Sequence, residues 1–438
     1  MKNSGVEWIG EIPENWEVKR GKELFFEIND RCKNPENYPL LSVSEYYGVA
    51  PKSEKIDEGD FITHAETLDG YKICQKGDIV QNIMLAWKRA TGMSNYEGLI
   101  SPAYCIYRPY KNIDSKYYHY LFRTNVYADL FKQFSTGIID SRLRLYPTKF
   151  LSLKYVYPPK STQQRIASYL DKKCSKIEET IQNQQQVIEK LKAYKQSLIT
   201  EAVTGKIKIQ NGQACGKYES YKDSKLKWLG DFKIPEVWNT IQVKSFVSIP
   251  VVDGPHESPE LFDNGIPYIS ATAIENSKID FSLKRGFISE KYCDECDERY
   301  KPMRDDILMI KLGATTGQVA IIDTDERFNI WVPLAAIRCN KTIALPKFVF
   351  YSFQSDYCLK QMEMSWTFGT QQTLGVSSIE RLKIFLPNVE TQKTIADYLD
   401  KKCTAIDTAI EQKQKLIEKL TEYKKSLIYE CVTGKKEI

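Results

Sequence analysis

Side chains that can bind nucleic acid are concentrated in four glycine-containing segments of this sequence. STGIIDSRLRLY and TFGTQQTLGVSS each lie late in one half of the chain, and LAWKRATG and KLGATTGQ lie earlier in the same halves. Arginine, glutamine, serine and threonine hydrogen-bond to base edges, and lysine and arginine also bind phosphates. The segments predict DNA contacts, with an ordinary solvent-exposed loop as the alternative at each position. The candidate DNA-binding residues in and next to them are Trp87, Lys88, Arg89, Arg142, Arg144, Lys149, Lys311, Thr315, Thr316, Gln318, Thr370, Gln371, Gln372 and Thr373.

Familiar catalytic and metal-binding signatures are missing from the sequence. It has neither the G-x-x-x-x-G-K-[ST] phosphate-binding loop nor the N-P-P-[YF] motif of amino-methyltransferases. His64, His119 and His256 lie far apart, without the spacing of metal ligands. The segment CDEC, residues 293–296, has C-x-x-C spacing but no second pair, so a zinc site there is only the alternative. We expect a chain that catalyses no reaction and itself binds no metal or cofactor.

The composition is typical of a folded protein in a reducing compartment. The 438 residues suffice for about two to three domains, 42% of them are hydrophobic, and the net charge is only +5. Eleven cysteines without regular spacing indicate buried thiols rather than a disulfide framework. The N-terminus lacks the apolar core of a signal peptide, and no run of about 18 apolar residues could span a membrane. These features predict a cytoplasmic protein without membrane contact.

One long helix is encoded twice. Residues 162–206, TQQRIASYLDKKCSKIEETIQNQQQVIEKLKAYKQSLITEAVTGK, return without gaps as residues 391–435, and 27 of 45 positions are identical. Apolar residues recur at heptad positions a and d over about four heptads, a pattern typical of a coiled coil. We expect the two copies to pack on each other within the chain; packing of each on its own domain, or in a homodimer, is the alternative. The predicted coiled-coil residues are Ile177, Ile181, Ile188, Leu191, Leu198, Ile406, Ile410, Ile417, Leu420 and Leu427.

The rest of the chain is duplicated around this helix. The opening SGVEWIGEIPENWEV resembles the later SKLKWLGDFKIPEVWNTIQV, with two tryptophans and an Ile-Pro step in each. Between these fixed parts, strand-like runs are separated by Gly, Pro and Asp turns and followed by helical stretches, which predicts α+β domains. The expected order is a first domain over 1–160, a helix over 161–206, a linker over 207–223, a second domain over 224–389 and a helix over 390–438.

This architecture resembles the specificity subunit of type I restriction–modification enzymes. The residues that carry the resemblance are the two W-[IL]-G…IP-x-x-W openings and the two TQ…IA-x-YLDKK…IEKL…YK-x-SLI…VTGK helices. The resemblance implies a pseudo-two-fold tandem repeat of two target recognition domains, each reading one half of a bipartite sequence in double-stranded DNA. It implies that the helices form an antiparallel intramolecular coiled coil, which spaces the domains and docks two modification (methyltransferase) subunits. Restriction subunits would join this complex for translocation and cleavage. S-adenosylmethionine, ATP and Mg²⁺ would be bound by these partner subunits.

Duplicated stiff helices suit a protein that reads a divided DNA site. Half-sites separated by a few unread base pairs lie about one helical turn apart, near 34 Å. Stiff paired helices can hold two readers at such a distance, whereas a flexible linker cannot. We therefore expect a non-catalytic DNA sequence-specificity subunit. A stand-alone sequence-specific DNA-binding regulator with the same layout is the alternative.

Overall fold

The computed structural model describes residues 1–33, 35–54, 68, 70–369 and 371–438. The chain forms two compact units: unit 1 comprises residues 1–184 and 414–438, and unit 2 comprises residues 185–413. Each unit combines one variable domain with parts of both long helices. Both units mix helices with mainly antiparallel strands, which confirms the prediction of an α+β fold.

The two halves of the chain follow a similar order of elements. Among the described residues the α-helices are α1 Gly21–Leu24, α2 Ser115–Phe122, α3 Asn125–Gln133, α4 Pro147–Ser152, α5 Lys160–Val203, α6 Glu290–Arg299, α7 Pro346–Gln354, α8 Asp356–Met364, α9 Val376–Arg381 and α10 Val389–Val432. The strands of unit 1 are β1 Lys2–Asn3, β2 Glu11–Ile12, β3 Glu17–Arg20, β4 Phe25–Ile28, β5 Leu41–Ser44, β6 Gly48–Pro51, β7 Lys72–Cys74, β8 Ile79–Asn82, β9 Thr91–Met93, β10 Gly98–Ile100, β11 Tyr104–Pro109 and β12 Lys154–Tyr157. The strands of unit 2 are β13 Ile209–Gln210, β14 Gln213–Ala214, β15 Tyr221–Asp223, β16 Lys233–Pro235, β17 Asn239–Gln242, β18 Val252–Asp253, β19 Ile266–Ile269, β20 Ile274–Glu275, β21 Lys278–Ile279, β22 Gly286–Ile288, β23 Ile307–Ile310, β24 Val319–Ile321, β25 Asn329–Ile330, β26 Leu334–Ile337, β27 Thr367–Phe368, β28 Gln372–Thr373 and β29 Lys383–Leu386.

Each variable domain is built on a four-stranded antiparallel sheet. The strand order is β4-β11-β8-β9 in unit 1 and β18-β26-β23-β24 in unit 2. In unit 1, Ile106 of β11 lies opposite Val80 on one side and Ile28 on the other. In unit 2, Leu308 of β23 lies opposite Ala336 and Ala320. The two domains therefore share a sheet topology although their sequences have little in common.

A buried ion pair occupies the same place in both sheets. Asp78, just before β8, accepts two hydrogen bonds of 2.9 Å from the guanidinium of Arg108 on β11. Asp306, just before β23, accepts hydrogen bonds of 2.8 and 2.7 Å from Arg338, which follows β26. Both carboxylates are only 2% exposed. Each pair links the start of a central strand, β8 or β23, to the neighbouring strand, β11 or β26. The two domains therefore share a common framework.

The long helices pair in antiparallel fashion, and each unit holds one part of the pair. In unit 1 the start of α5 packs on the end of α10, where Leu170 and Cys174 share a buried cluster with Leu427. In unit 2 the end of α5 packs on the start of α10, where Leu198 and Leu399 lie in one cluster. The antiparallel intramolecular coiled coil is thereby confirmed.

Among the helices of the described residues, none has the length and hydropathy of a membrane span.

Lysines at heptad position a form matched ion pairs across the helices. Lys195 Nζ lies 2.7 Å from Asp407 Oδ2 in unit 2, and Lys424 pairs with Glu178 in unit 1. The two pairs are equivalent, because Asp407 and Lys424 occupy in the second repeat the places of Glu178 and Lys195 in the first. Polar residues within a coiled coil fix its register. The ion pairs therefore specify an alignment that the apolar heptads alone leave open.

The ten predicted coiled-coil residues are all shielded from full solvent exposure. The buried ones are Ile177, Ile188, Leu198, Ile406 and Leu427. The half-buried ones are Ile181, Leu191, Ile410, Ile417 and Leu420. In a coiled coil of two helices, the apolar stripe of each helix is covered only by the partner helix. Residues along the sides of the stripe are therefore expected to be partly exposed.

In each unit, the repeated opening contacts the end of one long helix: the first opening contacts the end of α10, and the second contacts the end of α5. Gly434, just after α10, packs on Pro13 and Trp16 of the first opening. Gly205, just after α5, packs in the same way on Pro235 and Trp238 of the second opening. Both glycines have φ near +70°, a conformation that L side chains avoid. The two motifs therefore recur together because they form one packing unit.

The segment between the repeats contains regular structure. The sequence predicts a linker over 207–223. In unit 2, β13 and β14 form a hairpin within this segment, and β15 at its end pairs with β16 of the second opening. The chain is therefore held against unit 2 by strand pairing over part of this length.

Protonation of His119 is expected to destabilise unit 1 in acid. Its Nδ1 accepts a hydrogen bond of 3.2 Å from the Met93 backbone N–H. Burial, and then the charges of Arg123 and Lys116, lowers the pKa of His119 from 6.5 to about 3. The unfolded chain therefore binds this proton first, and stability is lost as the pH falls from about 6.5 toward 3. We expect about 1 kcal/mol of loss per pH unit from this group, measured by urea denaturation.

The variant His119→Gln removes this proton-binding site and should flatten the pH dependence between about pH 6.5 and 4.5. His256→Gln is the matched control, because the His256 side chain is 70% exposed. If both variants kept the wild-type slope, the loss in acid would have to arise from other groups.

Candidate DNA-binding loops

Two candidate segments of unit 1 lie side by side. The first, residues 84–90, connects β8 to β9, and the second, residues 136–146, leads from α3 to α4. The Leu145 backbone N–H donates to the Ile83 carbonyl at 2.9 Å, which joins the second segment to the start of the first. Lys132 of α3 lies over the indole of the first segment and forms an ion pair with the second. We call these segments the 84–90 loop and the 136–146 loop.

The arginines of the 136–146 loop project into solvent. Leu143 and Leu145 are buried, whereas Arg142 and Arg144 are exposed. This alternation is typical of extended chain, in which successive side chains point to opposite sides. Both guanidinium groups are therefore available to a phosphate or a base. The other exposed candidates of unit 1 are Lys88 and Lys149.

Trp87 and Arg89 have supporting contacts within unit 1. Trp87 Nε1 donates to the Met84 carbonyl at 3.1 Å, and its half-buried ring lies 4.8 Å from Lys132 Nζ. Arg89 adopts φ +68° and donates to the side-chain oxygen of Asn125. The structure therefore places these two candidates in the framework of the 84–90 loop, where they shape the surface that carries Lys88.

Two candidate segments of unit 2 also meet. Residues 311–318 follow β23, and the other candidate segment contains the paired strands β27 and β28. The Gly313 backbone N–H donates to the Gln372 carbonyl at 3.0 Å, and Thr316 Oγ1 donates to the Gly313 carbonyl at 2.7 Å. The exposed side chains are those of Thr315, Gln318 and Gln371; Gln372 and Thr373 are half-buried, and Thr316 is buried. Thr370 lies outside the described residues.

Lys311, one of the predicted DNA-binding residues, is a buried partner of Asp253. Its side chain is 10% exposed, and its Nζ lies 2.9 Å from Asp253 Oδ2. Arg299 and His256 approach the same carboxylate at 2.6 and 3.3 Å. Burial by itself raises the pKa of Asp253, but the Lys311 hydrogen bond and the neighbouring positive charges lower it below its ordinary value. The lysine therefore supports the 311–318 loop from within.

Several exposed side chains beside these loops were not candidates from sequence. His256 and Arg299 keep 70% and 52% of their side-chain exposure next to the 311–318 loop. In unit 1, Ile138 is 99% exposed and Ile139 is 53% exposed. Two adjacent isoleucines within an otherwise polar loop segment were the available signal in unit 1. The Asp-x-x-His spacing in VVDGPHESP is too common to have identified the cluster of unit 2.

The CDEC segment lies on α6 as part of the packing of unit 2. Cys293 and Cys296 are both buried. Burial raises the pKa of Cys296 to about 11, which keeps its thiol protonated at neutral pH. Over the described part of the chain, no group of three or more His, Cys, Asp or Glu side chains could hold a metal ion.

Comparison with known proteins finds similarity to type I restriction enzyme specificity subunits. The family model for the type I restriction modification DNA specificity domain matches residues 235–421, which span the second domain and much of α10. The putative type I restriction enzyme MjaX specificity subunit of Methanocaldococcus jannaschii is 26% identical, over 98% of this chain and 95% of its own length. The EcoKI specificity subunit of Escherichia coli K12 is 21% identical, over 97% of this chain and 90% of its own length.

Solved structures share the fold over nearly the whole chain. One chain of a structure describing complex assembly and conformational transition of the type I R-M system has a TM-score of 0.69 at 12% identity, covering 97% of this chain and 100% of that one. The HsdS subunit from Thermoanaerobacter tengcongensis has a TM-score of 0.53 at 13% identity, covering 99% and 100%. These similarities show that the chain has the fold of these solved structures, and that its residues 235–421 resemble a type I restriction modification DNA specificity domain.

Proposed function

We propose that this chain is the DNA-recognition subunit of a type I restriction–modification enzyme. In this proposal the variable domain of each unit reads one part of a bipartite sequence in double-stranded DNA. The long helices set the length of the unread spacer between the two parts. The chain selects the site, and its partner subunits perform the reactions on it.

The observation that carries the proposal is the pairing of exposed, DNA-compatible loops in both units. In each unit, the loop that follows a central strand of the four-stranded sheet contacts a second loop from later in the same domain. Unit 1 presents the arginines of the 136–146 loop, and unit 2 presents Thr315, Gln318 and Gln371. Arginine, threonine and glutamine are side chains that form specific contacts with bases. Different side chains on a shared framework suit two readers with different targets.

The helices offer equivalent exposed faces for partner subunits. Tyr194 on α5 is 55% exposed, and Tyr423 on α10, at the same place in the second repeat, is 52% exposed. Identical subunits bind most simply to repeated surfaces. We propose that two modification subunits dock on these faces and bind S-adenosylmethionine, and that restriction subunits contribute the sites for ATP and Mg²⁺.

Genome methylation mapping tests the proposed function. Cells that express this chain with its modification subunit should gain methylated adenines within one bipartite sequence motif, absent when the chain is omitted. A continuous motif, or a pattern unchanged by omission of the chain, would contradict the proposal. Tight binding of a specific site by the purified chain, without any effect on methylation, would favour a stand-alone regulator.

Replacing both arginines of the 136–146 loop should weaken binding of the mapped target. We expect Arg142→Ala combined with Arg144→Ala to reduce affinity by about 10- to 100-fold, since each arginine contacts a base or a phosphate. If both contact phosphates, the slope of log affinity against log salt concentration should fall by roughly 2. Fluorescence anisotropy with labelled duplex, across a salt series, measures both quantities in the complex with modification subunits.

The matched control is Lys76→Ala, which removes an exposed cation from the turn before β8, at the opposite end of that strand from the 84–90 loop. It should change affinity by less than about twofold. Equal effects of the control and the double variant would mean that general charge, and not the 136–146 loop, accounts for binding.

A further inference from the structure

The 136–146 loop carries an apolar tip that its own unit leaves uncovered. Ile138 is 99% exposed and Ile139 is 53% exposed, and Tyr146 nearby is 44% exposed. A single exposed apolar residue is common on protein surfaces. Here the exposed residues are consecutive and lie on a loop that also presents two arginines. The combination of apolar tip and flanking cations requires an explanation beyond chance exposure.

The base of the loop is a well-defined structure. Thr136 and Arg144 exchange two backbone hydrogen bonds of 2.9 and 3.0 Å, which close the loop. A Cβ at Gly137 would lie 2.6 Å from the Arg142 carbonyl, so the two sides of the loop are in close contact at this point. The Arg142 backbone N–H donates to the Ile139 carbonyl at 2.8 Å and forms a turn. Ile138 therefore projects from a closed support.

The charges around the tip favour a polyanion as its partner. Arg142 and Arg144 are exposed on the same loop, and Lys88 is exposed on the adjoining 84–90 loop. Asp140, the acidic residue of the loop, is neutralised by Lys132 at 2.9 Å. An apolar protein surface would leave these cations without partners, whereas a DNA backbone supplies a phosphate for each.

We propose that Ile138 is an apolar wedge that inserts at a base step of the DNA bound by unit 1, while Arg142 and Arg144 hold the neighbouring phosphates. This inference rests on the proposed DNA-recognition function. Proteins that bend DNA insert isoleucine, leucine or phenylalanine between bases and unstack them. Pyrimidine–purine steps unstack most easily, so the wedge favours such a step without contacting its base edges. Ile138 thereby contributes to the specificity of unit 1 through the deformability of DNA.

The test uses the complex of this chain with its modification subunits and a duplex carrying the mapped target. 2-Aminopurine is placed, one position at a time, in the half-site read by unit 1, away from the methylated adenine. Its fluorescence rises when it is unstacked. We expect a rise at one step with the wild-type chain and with Ile138→Leu, and no rise with Ile138→Ser. The serine variant should bind the intact target about tenfold more weakly.

A duplex with a mismatch at the responsive step separates the wedge from simple contact. A mismatch lowers the cost of unstacking, so it should tighten binding of the wild-type complex and leave binding of Ile138→Ser almost unchanged. Val237→Ser is the matched control, since Val237 is 77% exposed in unit 2; it should preserve the fluorescence rise.

The possible results distinguish the wedge from the function on which it rests. Specific binding with no fluorescence rise in any duplex would overturn the wedge and leave the proposed function intact. Loss of the modification subunit from the Ile138→Ser complex, with unchanged unstacking, would assign the tip to a protein contact and also overturn the wedge. Absence of specific DNA binding by the wild-type complex would overturn the proposed function itself.

Discussion

Gly205→Ala is expected to destabilise unit 2 by about 3 kcal/mol. Gly205 has φ +70°, where an L side chain costs about 1–2 kcal/mol. A Cβ at this position would lie 2.3 Å from Pro235 Cγ, in a ring that cannot rotate away. The second opening would therefore have to move off the end of α5. Urea denaturation followed by tryptophan fluorescence measures the loss, because the fully buried Trp238 belongs to the same contact.

Gly212→Ala separates the conformational cost from the steric one. Gly212 has nearly the same φ, +71°, but a Cβ there would meet no atom within 4 Å. We expect a loss of about 1 kcal/mol for this control. Gly434→Ala repeats the experiment in unit 1, where the new Cβ would lie 2.4 Å from Pro13 Cδ. Similar losses for Gly205→Ala and Gly212→Ala would contradict the importance of packing at the helix ends.

Asp306→Ala should also destabilise unit 2, by about 3–5 kcal/mol. The carboxylate accepts hydrogen bonds from Tyr300 Oη at 2.7 Å and from the Met303 backbone N–H at 3.0 Å, as well as from Arg338. The Arg338 side chain is only 25% exposed. Removal of the carboxylate would therefore leave a hydroxyl and an amide without their acceptor, and would leave the guanidinium without its counter-ion, with a hydrogen bond of 2.7 Å to the Lys301 carbonyl. Chemical denaturation of the full chain provides the measurement.

Two variants define what the Asp306 result means. Lys341→Ala breaks the neighbouring surface pair with Asp305, whose side chains are 61% and 38% exposed, and should cost less than about 0.5 kcal/mol. Asp306→Ala combined with Arg338→Met removes both charges and should recover part of the loss. If Asp306→Ala cost no more than Lys341→Ala, the buried pair would not be a framework element of the domain.

The long helices and their partnership were determined by the sequence itself. Heptad periodicity is a local property, since each turn of helix repeats the same apolar face, and the repetition of that face in two segments implied a shared coiled coil. The duplicated openings likewise indicated two domains of one design. Even here, the sequence did not specify the register. The ion pairs of Lys195 and Lys424 with residues on the other helix provided it.

The sequence could not predict which side chains of the candidate loops are exposed. Composition could select segments, but it could not distinguish Arg142, which faces solvent, from Lys311, which is buried against Asp253. The exposure of a charged side chain depends on which distant residue lies next to it in the fold. Ile138 is the converse case, because an isoleucine in a sequence is normally assigned to the core, and only the closed loop places it at a tip.

The shared framework of the variable domains was decided by tertiary structure alone. The pairs Asp78–Arg108 and Asp306–Arg338 are single residues in segments that otherwise have little in common. Each pair joins strands separated by a long stretch of chain, so no local pattern of apolar and polar residues reports it. The sequence thus determined that two similar domains accompany one pair of helices. The surface that each domain presents was decided by long-range contacts, because those contacts select which polar side chains are buried and which remain exposed.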